Sequence, residues 1–116
     1  MPIIDHSTQP RVETGDFTST RALVTRAHGA VSLTINEVVM EPGASSRLCT
    51  HDTDTAIMVQ EGSIQMVVGD DVQTVRSGYT LLAPPGVPYK LINNTWVAAK
   101  LLVISPTDEV QTEFLE

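Results

Sequence analysis

At 116 residues the chain has the length of one domain, and an apolar fraction of 41% supplies a core, which excludes global disorder. Seven scattered Lys and Arg against fourteen Asp and Glu leave a net charge of −7 at pH 7, so neither nucleic acid nor an anionic membrane is an expected partner. One cysteine leaves no internal disulfide to form, and no apolar run approaches the ~20 residues of a membrane-spanning helix. The stretch Met1-Pro2-Ile3-Ile4-Asp5 lacks the basic and apolar regions of a signal peptide, and the expectation is a soluble, cytoplasmic protein.

Residues 1–20 are polar, with Pro10 and Gly15, and read as a lead-in or an edge strand. A short strand follows over residues 21–27 and ends at His28-Gly29. From Val31 to Met40, Val31, Leu33 and Ile35 alternate with Ser32, Thr34 and Asn36, the period-two pattern of a strand. That alternation places Asn36, Val38 and Met40 on an inner face and sends Glu37, Val39 and Glu41 outward to solvent. Turns at Pro42-Gly43, Glu61-Gly62, Gly69-Asp70, Ser77-Gly78, Pro84-Pro85-Gly86 and Asn93-Asn94 separate further short apolar runs. On the last run, Val97, Ala99, Leu101 and Val103 are expected inward and Lys100 outward. Residues 107–116 form a tail in which Asp108 and Glu109 suit the first turn of a short helix. About eight or nine short strands at roughly ten-residue intervals predict an all-β sandwich or barrel over residues 21–106.

Chemistry concentrates between Glu41 and Gly62. Cys49 and His51 are two residues apart and share a face of an extended strand, and Thr55 opens the run that follows. Arg47 precedes Cys49 on the same face and is placed near the mouth, where it would steer an anionic substrate.

Two segments together resemble the cupin family. The first motif of that family, G-x5-H-x-H-x3-E-x6-G, is matched in spacing by Gly43 and Gly62, which puts Cys49, His51 and Thr55 at its liganding positions. The second, G-x5-P-x-G-x2-H-x3-N, is matched by Gly78, Pro84, Gly86 and Asn93, with Tyr89 where the histidine would stand. The resemblance covers about residues 30–105 and implies a single-domain jelly-roll β-barrel, often dimeric, whose typical member holds a metal by three His and one Glu. Of those ligands only His51 is intact here.

Three functions stay open. The first is a metal-free enzyme of isomerase, cyclase or lyase type acting on a small carbonyl compound. There His51 is the acid/base, Cys49 and Tyr89 orient or polarise the substrate, and Thr55, Asn36, Met40 and Arg47 bind it. The second is a metal-dependent oxidoreductase using Cys49 and His51 on copper, zinc or iron. The third is a non-catalytic binding or sensing barrel. No cofactor is expected under the first reading, the partner is a small molecule, and a homodimer would cover exposed sheet edges or an outer apolar face.

Overall fold

A computed structural model describes residues 1–107 and 110–116. Its strands are β1 (Arg11–Gly15), β2 (Thr18–Val24), β3 (Thr34–Met40), β4 (Cys49–His51), β5 (Thr55–Glu61) and β6 (Ser63–Val68). They continue with β7 (Asp71–Arg76), β8 (Thr80–Ala83), β9 (Tyr89–Ile92), β10 (Ala99–Ser105) and β11 (Thr112–Phe114). The only helical segments among the described residues are single 3-10 turns at His6–Thr8 and Arg26–His28.

Every strand pair is antiparallel, in two sheets of order β1-β2-β3-β10-β5-β8 and β11-β4-β9-β6-β7. The inner faces of both sheets supply one core, in which Met40, Ile57, Leu101, Ile64, Met66 and Leu91 are buried. This is the expected jelly roll, two facing sheets with a cavity between them.

Two frame residues explain why these motifs specify the fold. Gly62 makes the β5–β6 turn at φ +77°, and a Cβ there would sit 2.7 Å from the Ala98 carbonyl oxygen, so both backbone freedom and a close approach demand glycine. Asn93 is fully buried. Its Nδ2 donates to the carbonyls of Met40 (2.8 Å) and Val97 (2.9 Å), and its Oδ1 accepts from the N–H (3.0 Å) and hydroxyl (2.7 Å) of Thr95. One side chain thereby ties the end of β3 to the loop before β10.

Some expectations change. Val31 and Leu33 are exposed and precede β3, and Val97 is exposed before β10 begins. Glu37 does not shed its charge to solvent: it is 3% exposed, held by Arg11 and by Arg21 at 2.8 Å. Burial pushes its carboxyl up, but the hydrogen bonds from Arg21 and Arg11 prevail and hold it below the usual carboxylate range. The tail forms a strand at Thr112–Phe114 where a short helix was expected, and Asp108 and Glu109 lie outside the described residues. No helix among the described residues is long and apolar enough to cross a membrane.

Candidate functional site

β4 is only three residues long, and its alternation turns Cys49 and His51 to one side. β9 opens with Tyr89 directly across from Cys49, and β11 lies on the other edge of β4 with Thr112 opposite His51 and Phe114 opposite Cys49. Five side chains from three strands thus meet at one seam. His51 Nε2 lies 2.7 Å from the Tyr89 hydroxyl and Nδ1 lies 2.9 Å from Thr112 Oγ1. The two rings are tilted by 54° with centroids 5.4 Å apart.

Burial sets the protonation of this group. It lowers the pKa of His51, which Asp52 offsets only in part, so the imidazole favours its neutral form. It raises that of the Cys49 thiol, with the Tyr89 hydrogen bond pulling back. It raises that of Tyr89 further, and the adjoining Cys49 adds to the effect. All three groups are therefore held neutral near pH 7.

Tyr89 faces a cavity of about 570 Å³ between the sheets. Val38, Met40, Ile57, Leu101 and Val103 give it an aliphatic wall, and Thr14, Thr18, Thr20, Ser45 and Ser46 give it hydroxyls. Arg47 stands at its rim, where its guanidinium lies over the Phe114 ring, 4.1 Å from the centroid, and its Nε donates to the Glu116 carbonyl at 2.9 Å.

Of the residues expected to bind substrate, Met40 and Arg47 line the cavity while Thr55 and Asn36 do not. Thr55 is buried, with no hydrogen-bond partner for its hydroxyl, and Asn36 lies beyond Val38 on the same strand face, across from Val103. His51 and Cys49 are also absent from the lining: Cys49 packs in the core, and His51 opens instead onto an outer depression of about 320 Å³ beside Thr112. His28 is engaged by Thr25 and Gln9. Thr112, Phe114 and the hydroxyls of the β1–β2 hairpin went unrecognised in the sequence. Thr18-Ser19-Thr20 has no apolar residue and so shows no alternation, and a three-residue strand at 112–114 is too short to show a period.

A sequence profile for the cupin domain matches residues 36–105, more than half of the chain. The chain belongs to the cupin family. Among solved structures, the polyketide cyclase RemF from Streptomyces resistomycificus superimposes with a TM-score of 0.85 at 23% identity, over 100% of this chain and 87% of that one. A cupin-superfamily sugar phosphate isomerase from Silicibacter pomeroyi gives 0.83 at 25% identity, over 99% and 82%. Oxalate decarboxylase of Bacillus subtilis, a protein with Mn(II) centres, gives 0.79 at 18% identity, over 95% of this chain and 31% of that one. No curated protein matches significantly.

The cupin ligand positions here hold one imidazole, a thiol and a phenol both raised by burial, and an aliphatic hydroxyl. Of these only the imidazole is an ordinary ligand of the family's kind, and the neutral hydroxyl of Thr55 offsets little of a dication's charge. Among the described residues no three His, Cys, Asp or Glu side chains come together as a metal-holding group. This donor set does not fit the tight divalent site of the family.

Proposed function

We propose that this cupin is a small-molecule isomerase, cyclase or lyase acting on a carbonyl compound in the cavity, and that Tyr89 and His51 work as one acid–base unit. The observation that carries this reading is the 2.7 Å contact between Tyr89, which lines the cavity, and His51, which stands behind it. Tyr89 is therefore the group that meets substrate, and the acid/base role expected of His51 alone is exercised through it.

The pair takes up a proton without forming a phenolate. As a proton next to the substrate carbonyl passes to the Tyr89 oxygen, the proton already on that oxygen passes to His51 Nε2, leaving an enolate and an imidazolium. The C–H electron pair is taken up by the carbonyl. Reversal at a different carbon or oxygen completes an isomerisation, and attack of the enolate on a second carbonyl, whose oxygen takes the Tyr89 proton as Tyr89 recovers one from His51, completes a cyclisation. Burial raises the cost of a free phenolate, which favours this concerted route. The aliphatic wall with its hydroxyls suits a partly apolar substrate that is not anionic, since Asp16 also lines the cavity and the rim guanidinium is already stacked and hydrogen-bonded. The cyclase and the isomerase among the structural neighbours accord with the reading, although identities of 23% and 25% speak for fold and not for substrate.

The test is solvent deuterium incorporation next to the carbonyl across a panel of small ketones, followed by mass spectrometry. Incorporation by the wild type that is lost in both Tyr89→Phe and His51→Ala supports the reading. Binding of panel members with no incorporation would favour a binding barrel. Stoichiometric metal in untagged protein that disappears in His51→Ala would favour the metal-dependent alternative.

A further inference from the structure

His51 forms a partition. On one side its Nε2 meets Tyr89, which lines the cavity; on the other it borders the outer depression with Thr50, Asp52, Gly86, Gln111, Thr112 and Glu113. Its Nδ1 meets the hydroxyl of Thr112, an exposed contact on the solvent side. The register of β11 on β4 produces this, by setting Thr112 directly opposite His51. The tail is held in that register at both ends. Asp52 and Gln111 bond through Asp52 N–H to the Gln111 carbonyl (3.1 Å) and Gln111 N–H to Asp52 Oδ1 (2.9 Å). At the far end, Leu115 N–H donates to the Leu48 carbonyl (2.8 Å), and Glu116 Oε1 accepts from Leu48 N–H (3.1 Å) and Lys90 (2.8 Å).

We infer that protons enter and leave the active cavity from its outer side, along Tyr89, His51 and Thr112, and that Thr112 is the positioning residue that fixes the imidazole tautomer. This rests on the acid–base role proposed for the Tyr89–His51 pair. A neutral imidazole donates from one nitrogen and accepts at the other. If Nε2 carried the proton, Tyr89 would have to turn its own O–H away from the ring, toward the Cys49 sulfur, a weak acceptor, or into a cavity with a largely aliphatic wall. With the proton on Nδ1, Tyr89 donates to Nε2, Nδ1–H donates to Thr112 Oγ1, and the Thr112 hydroxyl is left to donate to water. All three polar groups then have good partners. Nε2 is also presented as the acceptor that the chemistry requires.

The path balances. After Nε2 has taken the Tyr89 proton, Nδ1–H passes its proton to Thr112 Oγ1 as the Thr112 proton leaves to water. The imidazole is neutral again, with its proton now on Nε2, and a reverse passage or a ring flip restores the starting tautomer. The transient imidazolium adjoins the neutral Tyr89 and Cys49 and feels the charge of Asp52 beside it on the chain, while Glu113 borders the same outer depression.

The experiment is nitrogen NMR of the full chain with 15N-labelled histidine above pH 7, with the His51 signals assigned by their loss in His51→Gln. The expected result is an Nδ1-protonated His51 in the wild type and in Thr112→Ser, and loss of that preference in Thr112→Val. A wild-type His51 protonated on Nε2, or an unchanged tautomer in Thr112→Val, overturns the inference. With a turned-over ketone, Thr112→Val should lower solvent-deuterium wash-in about tenfold relative to turnover, less than the ~10²–10⁴-fold of a group that transfers the proton directly. The failures are distinguishable. If no ketone is turned over but the tautomer responds to Thr112, the proposed function fails and the positioning role stands. If turnover is present and the tautomer ignores Thr112, the relay alone fails.

Discussion

Removing the Tyr89 hydroxyl takes away the one titratable group of the pair that lines the cavity. Tyr89→Phe is expected to reduce turnover by roughly 10²–10⁴-fold with little change in substrate binding, which a split of kcat from KM would reveal. His51→Ala should cost a similar factor, and the double variant no more than the worse single one, because the two act as a unit. The depressed pKa of His51 adds a pH signature. Activity should be flat above 6.5 and fall as the imidazole protonates at a pH below that ordinary value, which a pH profile of kcat/KM would record. Stability moves in the same direction. The unfolded chain takes up the proton first, so acidification from 6.5 down through the folded pKa favours unfolding, and chemical denaturation at a series of pH values reads that loss. Cys49, His51 and Tyr89 were legible in the sequence because the motif frame fixes their spacing. Which of them lines the cavity was not, because that depends on how β9 and β11 flank β4.

Two side-chain clamps decide how well the strands hold together. Asn93→Ala would strip the buried Met40 carbonyl and the part-buried Thr95 N–H of their side-chain partner, leave the Val97 carbonyl to Thr95 Oγ1 alone, and is expected to destabilise the fold by about 1–3 kcal/mol, measured by urea unfolding. On the outer face of the six-stranded sheet, Arg21→Met leaves the buried Glu37 to Arg11 alone and should cost about 1–3 kcal/mol, the lower end allowing for the partial exposure of Arg21. The β5–β6 hairpin with its turn glycine and the Thr34–Met40 part of the expected third strand were readable from sequence. Two elements were not. The place of β11 depends on pairing with β4 some sixty positions away, by a separation no local pattern encodes. Glu37 sits at an outward position of an alternating strand, and only the approach of Arg11 from β1 and Arg21 from β2 explains its burial.

At the scale of the whole molecule the two outer faces differ. That of the five-stranded sheet mixes Ser63, Gln65, Thr74, Arg76 and Lys90 with Val67, Val72 and Ile92, as its register and the inward burial of Ile64 and Met66 require. That of the six-stranded sheet presents Ile35, Leu102, Ile104, Met58 and Leu82 across adjoining strands, with Leu82 58% exposed. Its charges, Arg11, Arg21 and Lys100 against Glu37 and Glu61, nearly cancel, although the chain as a whole carries −7. Two copies can meet there without the repulsion that acts elsewhere. Light scattering behind a sizing column should find a homodimer that Leu82→Lys converts to monomer, and a monomeric wild type would refute it. The buried Cys49 offers a different kind of access to the same molecule. It is the single thiol of the chain, sealed at 6% exposure beneath the seam of β4, β9 and β11. A thiol reagent can reach it only when that seam opens, so the rate of labelling is a stopwatch for local breathing, read from one mass increment on unmodified protein. A bound ligand that closes the cavity should slow it, which gives a screen for ligands that requires no knowledge of the reaction.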